Sequence, residues 1–508
     1  MTPYRTAAVV AIAVLLGVSC GEDFQPPALP TTGELSPVGQ VIDVEAGFPH
    51  LVLPGRVAGG LEMEIRFEME ETGEGHLPAR VFFGPARYEG TTDVVVEDEG
   101  DGRATVFVTE QRWSTGVLGP LRIDDTVFEI TLDGVPERGG RYVIGSTWES
   151  HTGLQGGFEG WRRHRFLVAG TDFFSGVGRV SEVALLKGDR IVVRPGLELV
   201  SSDPVLRVSG GAVFAINRFT HDNIQRLDPQ SLFATSWQST VGAGANPHDV
   251  AVLSETKAFV TRYEPPFDDV AVFDPRSGSI ETSIPLEGLA ENPDATPRAD
   301  RMKIADGVLF VALQDIDRTF TQFAEGKLAV IDPALEEIVG TIPLGGKNPG
   351  AIELLRGADD RLRLYVALSG IFPGLQTQEL SGGVAVVDVT QRAVERYALD
   401  DDDAGGNIGG LAMASERLGY AVVSDDRFVN RVVAFDPESA TLRRTLWESS
   451  DLISEIEIDG DGILAIPDRS FFQPRLCLYR APSDPSDDET LIGCGDLDAP
   501  PFTLEALD

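Results

Sequence analysis

Basic residues, cysteine and long apolar runs are what this chain of 508 residues has least of. Lys and Arg total 42 against 80 Asp and Glu, a formal charge of −38. An acid excess of that size repels nucleic acid and anionic lipid heads, and it keeps the chain soluble. Three cysteines occur, with no CxxC pair and no CxxCH run, which removes zinc-ribbon, thiol-redox and c-type haem chemistry. There is no GxSxG elbow, and pairs such as Gly156-Gly157 are not followed by Lys-Ser/Thr. Neither a nucleophile of the α/β-hydrolase kind nor a phosphate loop is therefore expected. After residue 161 the tryptophans are Trp237 and Trp447, too few for a quinone-stacking repeat. Beyond the first twenty residues no segment reaches transmembrane length without charge.

What is present is a recurring pattern. A β-branched run reaches a polar loop, and a second apolar strand then ends in Asp-Pro or Asp-Val: Asp228-Pro229, Asp274-Pro275, Asp332-Pro333, Asp388-Val389 and Asp436-Pro437. Successive differences (274 − 228, 332 − 274, 388 − 332, 436 − 388) are 46, 58, 56 and 48 residues, the period of four-stranded propeller blades with loop insertions. One blade reads as His248 to Leu253, Ala258 to Tyr263, Asp269 to Asp274 and Ser279 to Leu286, counted outward from the axis. Innermost strands are expected near Val205 to Val208, Arg301 to Ile304, Gly350 to Leu355, Gly409 to Ala414 and Glu455 to Ile458. Arg165 to Thr171, Gly178 to Leu185 and Arg190 to Leu199 form three strands of a blade that lacks its innermost one. Pro501 to Leu507 supplies it. The expectation is all-β: a seven-bladed propeller over 164–508, closed by its C-terminal strand.

Residues 1–20 read as a targeting segment, with Arg5 before the apolar stretch Ala7 to Val18. Gly17-Val18-Ser19-Cys20 resembles a bacterial lipobox, which implies a lipoprotein signal peptide and acylation of Cys20. Gly17 departs from the usual Leu. Residues 21–38, rich in Pro, Gly and acid, read as a flexible tether. From 39 to 163, alternating strands such as Leu61 to Glu70 and Ala104 to Thr109 lie between turns like Glu99-Gly100-Asp101-Gly102. They suggest a small β-sandwich, immunoglobulin-like in length and without the Cys and Trp markers. An exported protein sits where disulfides persist. Cys477 and Cys494, 17 positions apart (494 − 477), are therefore expected to be bridged, with two buried free thiols as the other arrangement.

The segments VFAINR (213–218), AFVTRY (258–263) and LYVALS (364–369), each followed by a strand ending in Asp, resemble YVTN-type propeller repeats. Asn246-Pro247-His248-Asp249-Val250-Ala251-Val252 is also typical of that group. The resemblance implies a cell-surface or periplasmic, outer-membrane lipoprotein, a class regarded mostly as binding or surface proteins without a known reaction.

Groups able to carry chemistry are expected where the loops gather at one mouth of the channel. The candidates are Arg218, His221, Asp222, His248, Asp249, Arg262, Arg301, Asp315, Arg427 and Asp468, with Asn217, Asn223, Arg298, Asp317, Arg318, Asp425, Asp426 and Arg469 beside them. Arginine recurring after the second strand of a blade suits carboxylate or phosphate ligands, or else staples the ring through Asp. His248 and His221 are each either a ligand-contacting base or a turn-stabilising side chain. No cofactor is expected. Calcium is the one ion for which the acidic turns Asp400 to Asp403 and Asp459-Gly460-Asp461-Gly462 offer ligands, though neither has EF-hand spacing. The reading is a membrane-anchored, non-catalytic binding or surface protein that recognises a protein, glycan or small ligand. The competing class is a metal-dependent lactonase or hydrolase working at the channel mouth.

Overall fold

The computed structural model describes residues 164–507 with their side chains, apart from short stretches at 186–188, 190, 211, 230–232 and 373–376; before 164 it describes strands and their pairing. Two compact units divide the chain, Met1–Arg163 with Leu186–Gly188, and His164–Leu185 with Asp189–Asp508. In the first, nine strands from Gln40–Ile42 to Gln155–Glu159 pair antiparallel in chain order, and the first also pairs with the eighth. The packing expected of a β-sandwich, the signal peptide, the tether and Cys20 lie outside the described residues.

The second unit is a seven-bladed β-propeller, each blade a four-stranded antiparallel sheet. Blades 1 to 6 begin with the inner strands Pro204–Ser209, Pro247–Ser254, Ala299–Ala305, Pro349–Arg356, Asn407–Ser415 and Glu457–Ile458. Blade 7 is built from both ends of the unit. Its inner strand Pro501–Ala506 pairs with His164–Thr171, which continues into Val177–Leu186 and Arg190–Ser201. Among the described residues this leaves every inner strand paired.

The recurring Asp has a physical reason. Each ends the third strand of its blade, and in blades 2 to 5 its carboxylate accepts backbone N–H groups of the turn into the fourth. Asp274 accepts from Arg276, Asp332 from Ala334 and Leu335, Asp388 from Gln391, and Asp436 from Glu438 and Ser439. An Asx turn of this kind begins the hairpin loop, and a left-handed residue ends it: Gly278, Glu336, Arg392 and Ala440 have φ of 73°, 59°, 54° and 55°. The middle strands are apolar on both faces because each face meets a neighbouring blade, and Ala212–Asn217, Gly383–Asp388 and Ile463–Asp468 are buried throughout. Each of the seven junctions carries its own apolar cluster. At the junction of blades 1 and 2, Phe214 and Phe273 meet edge to face at 6.2 Å, with Trp237 against both. Outer strands read differently: Ala234–Thr240 alternates exposed and half-buried, as expected where one face meets water. In blade 6, Cys477 and Cys494 stand directly opposite on adjacent strands and are joined by a disulfide.

Candidate functional site at the channel mouth

The connections after the second strand of each blade, and those leading into each inner strand, converge on one end of the ring. Most arginines expected there are already engaged. Arg218 pairs with Asp203 at 2.6 Å, joining the two ends of one hairpin. Arg262 grips Asp269 with two hydrogen bonds of 2.5 and 2.7 Å and lies over the Phe267 ring. These two pairs sit within a blade. Arg298, fully buried, links neighbouring blades through Glu264 and lies over Tyr263 and Phe320. Asp468 holds Arg475, also within its blade. Asp222 accepts the N–H groups of Gly244 and Asn246, fixing the turn into blade 2. Asp315 has no exposure and accepts from the backbone of Glu291 and Asn292 and from Lys327. His221 and Arg427 are exposed, and Arg427 makes no ion pair among the described residues. The ten sequence candidates therefore do not form one cluster.

Two of them belong inside the channel. Arg207 of blade 1 contacts Asp249 of blade 2 (2.5 Å), Glu455 before blade 6 (3.2 Å) and Glu505 of blade 7 (2.7 Å). Arg301 of blade 3 reaches the same Glu455 at 2.7 Å. Blades 3 and 6 face each other across a seven-membered ring, so this contact spans the axis and closes the channel at that level. Asp249 also accepts the N–H of Met302, tying blade 2 to blade 3. Burial pushes the Glu455 and Glu457 carboxyls up, and raises Glu505 to about 7 against the pull of Arg207. For Lys303 burial opposes the charge, but Glu353, Glu505 and Glu457 outweigh it and hold the ammonium protonated.

Above this plug, a cavity of about 260 Å³ opens at the mouth between blades 3 and 6. Its polar lining is Asp300, Gln314, Asn348, Ser369, Ser424 and Ser454, and Phe372, Ile408 and Ile453 supply apolar wall. Asn348 precedes Pro349 with φ 58°, a left-handed conformation that Asn tolerates through its short polar side chain. Asn246 before Pro247 does the same at φ 47°. The backbone oxygen of Asn348 accepts both the N–H and the hydroxyl of Ser369, and its buried Oδ1 has no hydrogen-bond partner among the described residues.

His248 is joined to this cavity through Asp300. Its Nδ1 donates to Asp300 at 2.7 Å, its Nε2 faces Asn246 Nδ2 at 3.3 Å, and its ring stacks on Tyr263 at 4.0 Å. Tyr263 donates to Gln314, and Gln314 to Asp300, which closes the network. Burial lowers the His248 pKa against the pull of Asp300, so the imidazole is neutral at neutral pH. With Nδ1–H on Asp300, the Nε2 lone pair accepts from the Asn246 amide. The ring is thus held on both nitrogens and one face.

Two acidic groupings fall outside the mouth cavity. Asp400, Asp401 and Asp402 offer oxygens within 4.8 Å of one another beside a cleft of about 580 Å³, which Glu325, Lys347 and Tyr397 also line. Asp401 accepts the Gly382 N–H, and its pKa is raised to about 6 by burial. Of the Asp459-Gly460-Asp461-Gly462 turn, Asp459 contacts His164 Nδ1 at 2.5 Å and Asp461 lies 3.7 Å from the same atom. Asp459 also caps its own turn, accepting from Asp461 and Ile463.

The residues that sequence reasoning missed are Asp300, Gln314 and Asn348 in the cavity, and Arg207, Glu455 and Glu505 in the channel. Asn348-Pro349 repeats Asn246-Pro247 and was readable; charges spaced by two on inner strands (Arg301 and Lys303, Glu455 and Glu457) were the signal for the channel.

No family model matches the chain, and no curated protein matches it. Among solved structures it is similar to a putative 6-phosphogluconolactonase from Bacteroides fragilis, at 13% identity and TM-score 0.48 over 68% of this chain and 98% of that one. It is also similar to hydrazine synthase of Kuenenia stuttgartiensis, at 13% and 0.35 over 64% and 94%. A third likeness is to U3-55K, at 11% and 0.38 over 59% and 88%. None of the three informs the chemistry of the mouth.

Proposed function

We propose that this chain is a lipid-anchored, extracytoplasmic binding protein of the YVTN-type propeller class, which recognises a small ligand at the channel mouth and does not transform it. The observation that carries this is the mouth cavity with the unpartnered Asn348 Oδ1 on its wall. A buried acceptor left unmet costs about 1–3 kcal/mol, which a donor on a ligand would recover. The neighbouring hydroxyls of Ser369, Ser424 and Ser454 already donate to Asn348, Asn430 and Phe502, so their oxygens remain as acceptors. An acceptor-rich wall beside Phe372 suits a neutral ligand carrying several hydroxyl or amide donors. The size excludes large ligands, since drug-sized sites run to roughly 300–1,000 Å³. His248, the histidine that a hydrolase at this mouth would use, is held on both nitrogens by Asp300 and Asn246.

The test is thermal melting against a panel of neutral sugars and polyols, together with a turnover screen on lactones and esters. A stabilising sugar or polyol whose effect disappears in Asn348→Leu supports the reading. Turnover of a lactone or ester that is lost in His248→Ala would replace it with the enzyme. Anchoring is tested separately: mass spectrometry of membrane-extracted protein should find a processed N-terminus with lipid on Cys20.

A further inference from the structure

Large hydrophobic side chains stand out into water at the same end of the ring, on the connections after the second strands of four consecutive blades. Phe428 belongs to blade 5, Phe471 and Phe472 to blade 6, Phe173 and Phe174 to blade 7, and Phe219 to blade 1. Phe472 is 96% exposed, Phe174 91% and Phe219 70%. Exposed apolar residues elsewhere on the propeller, such as Leu335 and Leu491, are scattered singly on the outer strands and their turns. Six phenylalanines on one rim are a patch of the kind that marks an interaction site.

The rim is also held in shape. Phe173 meets Phe502 edge to face at 5.1 Å, and Arg469 lies over both rings, at 4.3 and 5.7 Å, while donating to the Thr171 carbonyl. Phe173, Phe219 and Phe428 have φ of 63°, 42° and 61°. The left-handed region costs a residue with a Cβ roughly 1–2 kcal/mol, and Gly or Asn would occupy it at less cost. Aromatic side chains are therefore retained at three tips against local preference.

Charge selects the partner. Exposed carboxylates on the connections of these blades are Asp426 after the second strand of blade 5 and Asp451 leading into blade 6, whereas Arg427 is the exposed guanidinium there without an ion pair among the described residues. An acidic surround on a chain of charge −38 disfavours an anionic bilayer and favours a cationic partner. We infer that the phenylalanine rim of blades 5, 6, 7 and 1 docks a basic polypeptide segment, one that presents aliphatic side chains to the rings and Lys or Arg to the surrounding carboxylates. This concerns the rim, not the cavity, and stands apart from the small-ligand reading.

The probe is a synthetic peptide alternating Lys and Leu, compared with its Lys→Glu counterpart, with zwitterionic and anionic vesicles, and with self-association in the ultracentrifuge. The variant combines Phe174→Ser, Phe219→Ser, Phe428→Ser and Phe472→Ser. Because these tips are exposed, its melting temperature should match the parent, which separates loss of binding from loss of fold. Salt-sensitive binding of the Lys-Leu peptide that falls at least tenfold in the variant supports the inference. Equal binding of the Glu-Leu peptide, unchanged Lys-Leu binding in the variant, or no peptide binding would overturn it. So would vesicle binding or dimerisation that the variant abolishes, since either assigns the rim to a lipid surface or to a second copy. Stabilisation by a sugar or polyol should be the same in parent and variant.

Discussion

Ending the chain at Asp498 removes the inner strand of blade 7. Phe502 and Leu504 are 8% and 1% exposed there, and burial of two such side chains is worth about 3–6 kcal/mol. The ladder to His164–Thr171 goes with them, including its end bonds, Thr171 N–H to the Pro500 carbonyl and Leu507 N–H to the Arg165 carbonyl, each 2.8 Å. Arg207 loses Glu505, and Phe166 and Val168 gain an open edge. Total stability of a folded unit is only about 5–15 kcal/mol, so the loss is a large fraction of it. At about 2–4 °C per kcal/mol, even 3 kcal/mol lowers the melting temperature by about 6–12 °C. The exposed strand should also promote aggregation. Differential scanning calorimetry with light scattering reads both effects, and a peptide of residues 499–508 added in excess should restore part of the melting temperature. A truncated chain that melts within about 1 °C of the parent and stays monomeric would refute ring closure as a source of stability.

The Cys477–Cys494 bridge spans a sequence separation of 17, so Cys477→Ser with Cys494→Ser should cost roughly 3 kcal/mol by denaturant unfolding. Denatured, unreduced parent protein should show neither of these thiols to a thiol reagent. Glu505 is raised to about 7, and Asp268 and Asp401 to about 6, by burial. The folded state thus keeps protons that the unfolded chain releases near pH 4, and stability should fall as pH rises from about 4 to about 7. Glu505→Gln should flatten the upper part of that decline in melts recorded across pH. Arg262→Ala strands a nearly buried Asp269 and should cost about 3 kcal/mol, whereas the exposed Arg427→Ala should change stability by less than about 0.5 kcal/mol. Equal melting temperatures for the two variants would defeat the distinction between staple and free guanidinium.

The propeller was legible because its signals are local. Asp274 and Asp436 mark hairpin turns from their own positions, and the fully apolar middle strands follow from burial on two faces. Blade 2 was read within a residue or two of Pro247–Ser254, Lys257–Arg262, Asp269–Asp274 and Ser279–Pro285. Blade 7 was legible because an unpaired inner strand is costly and one candidate remained. The mouth was less so. Arginine at the end of a second strand, as Arg262, and arginine on an inner strand, as Arg301, look alike in the sequence, yet the first meets Asp269 within its blade and the second Glu455 across the axis. That choice depends on which loops the ring brings together. The phenylalanine tips were missed because a hydrophobic residue in a loop reads as core until its exposure is known.

Blade 7 also has a consequence for how the molecule is made. The strand His164–Thr171 is synthesised before any of blades 1 to 6, yet its inner partner Pro501–Ala506 comes after all of them. A growing chain folds its earlier parts first, so each intermediate carries one blade that lacks its wall. Only a chain read through to residue 506 can shut the ring. Products of premature termination or of clipping near the C-terminus would leave that edge exposed, open to the proteases that remove incomplete chains.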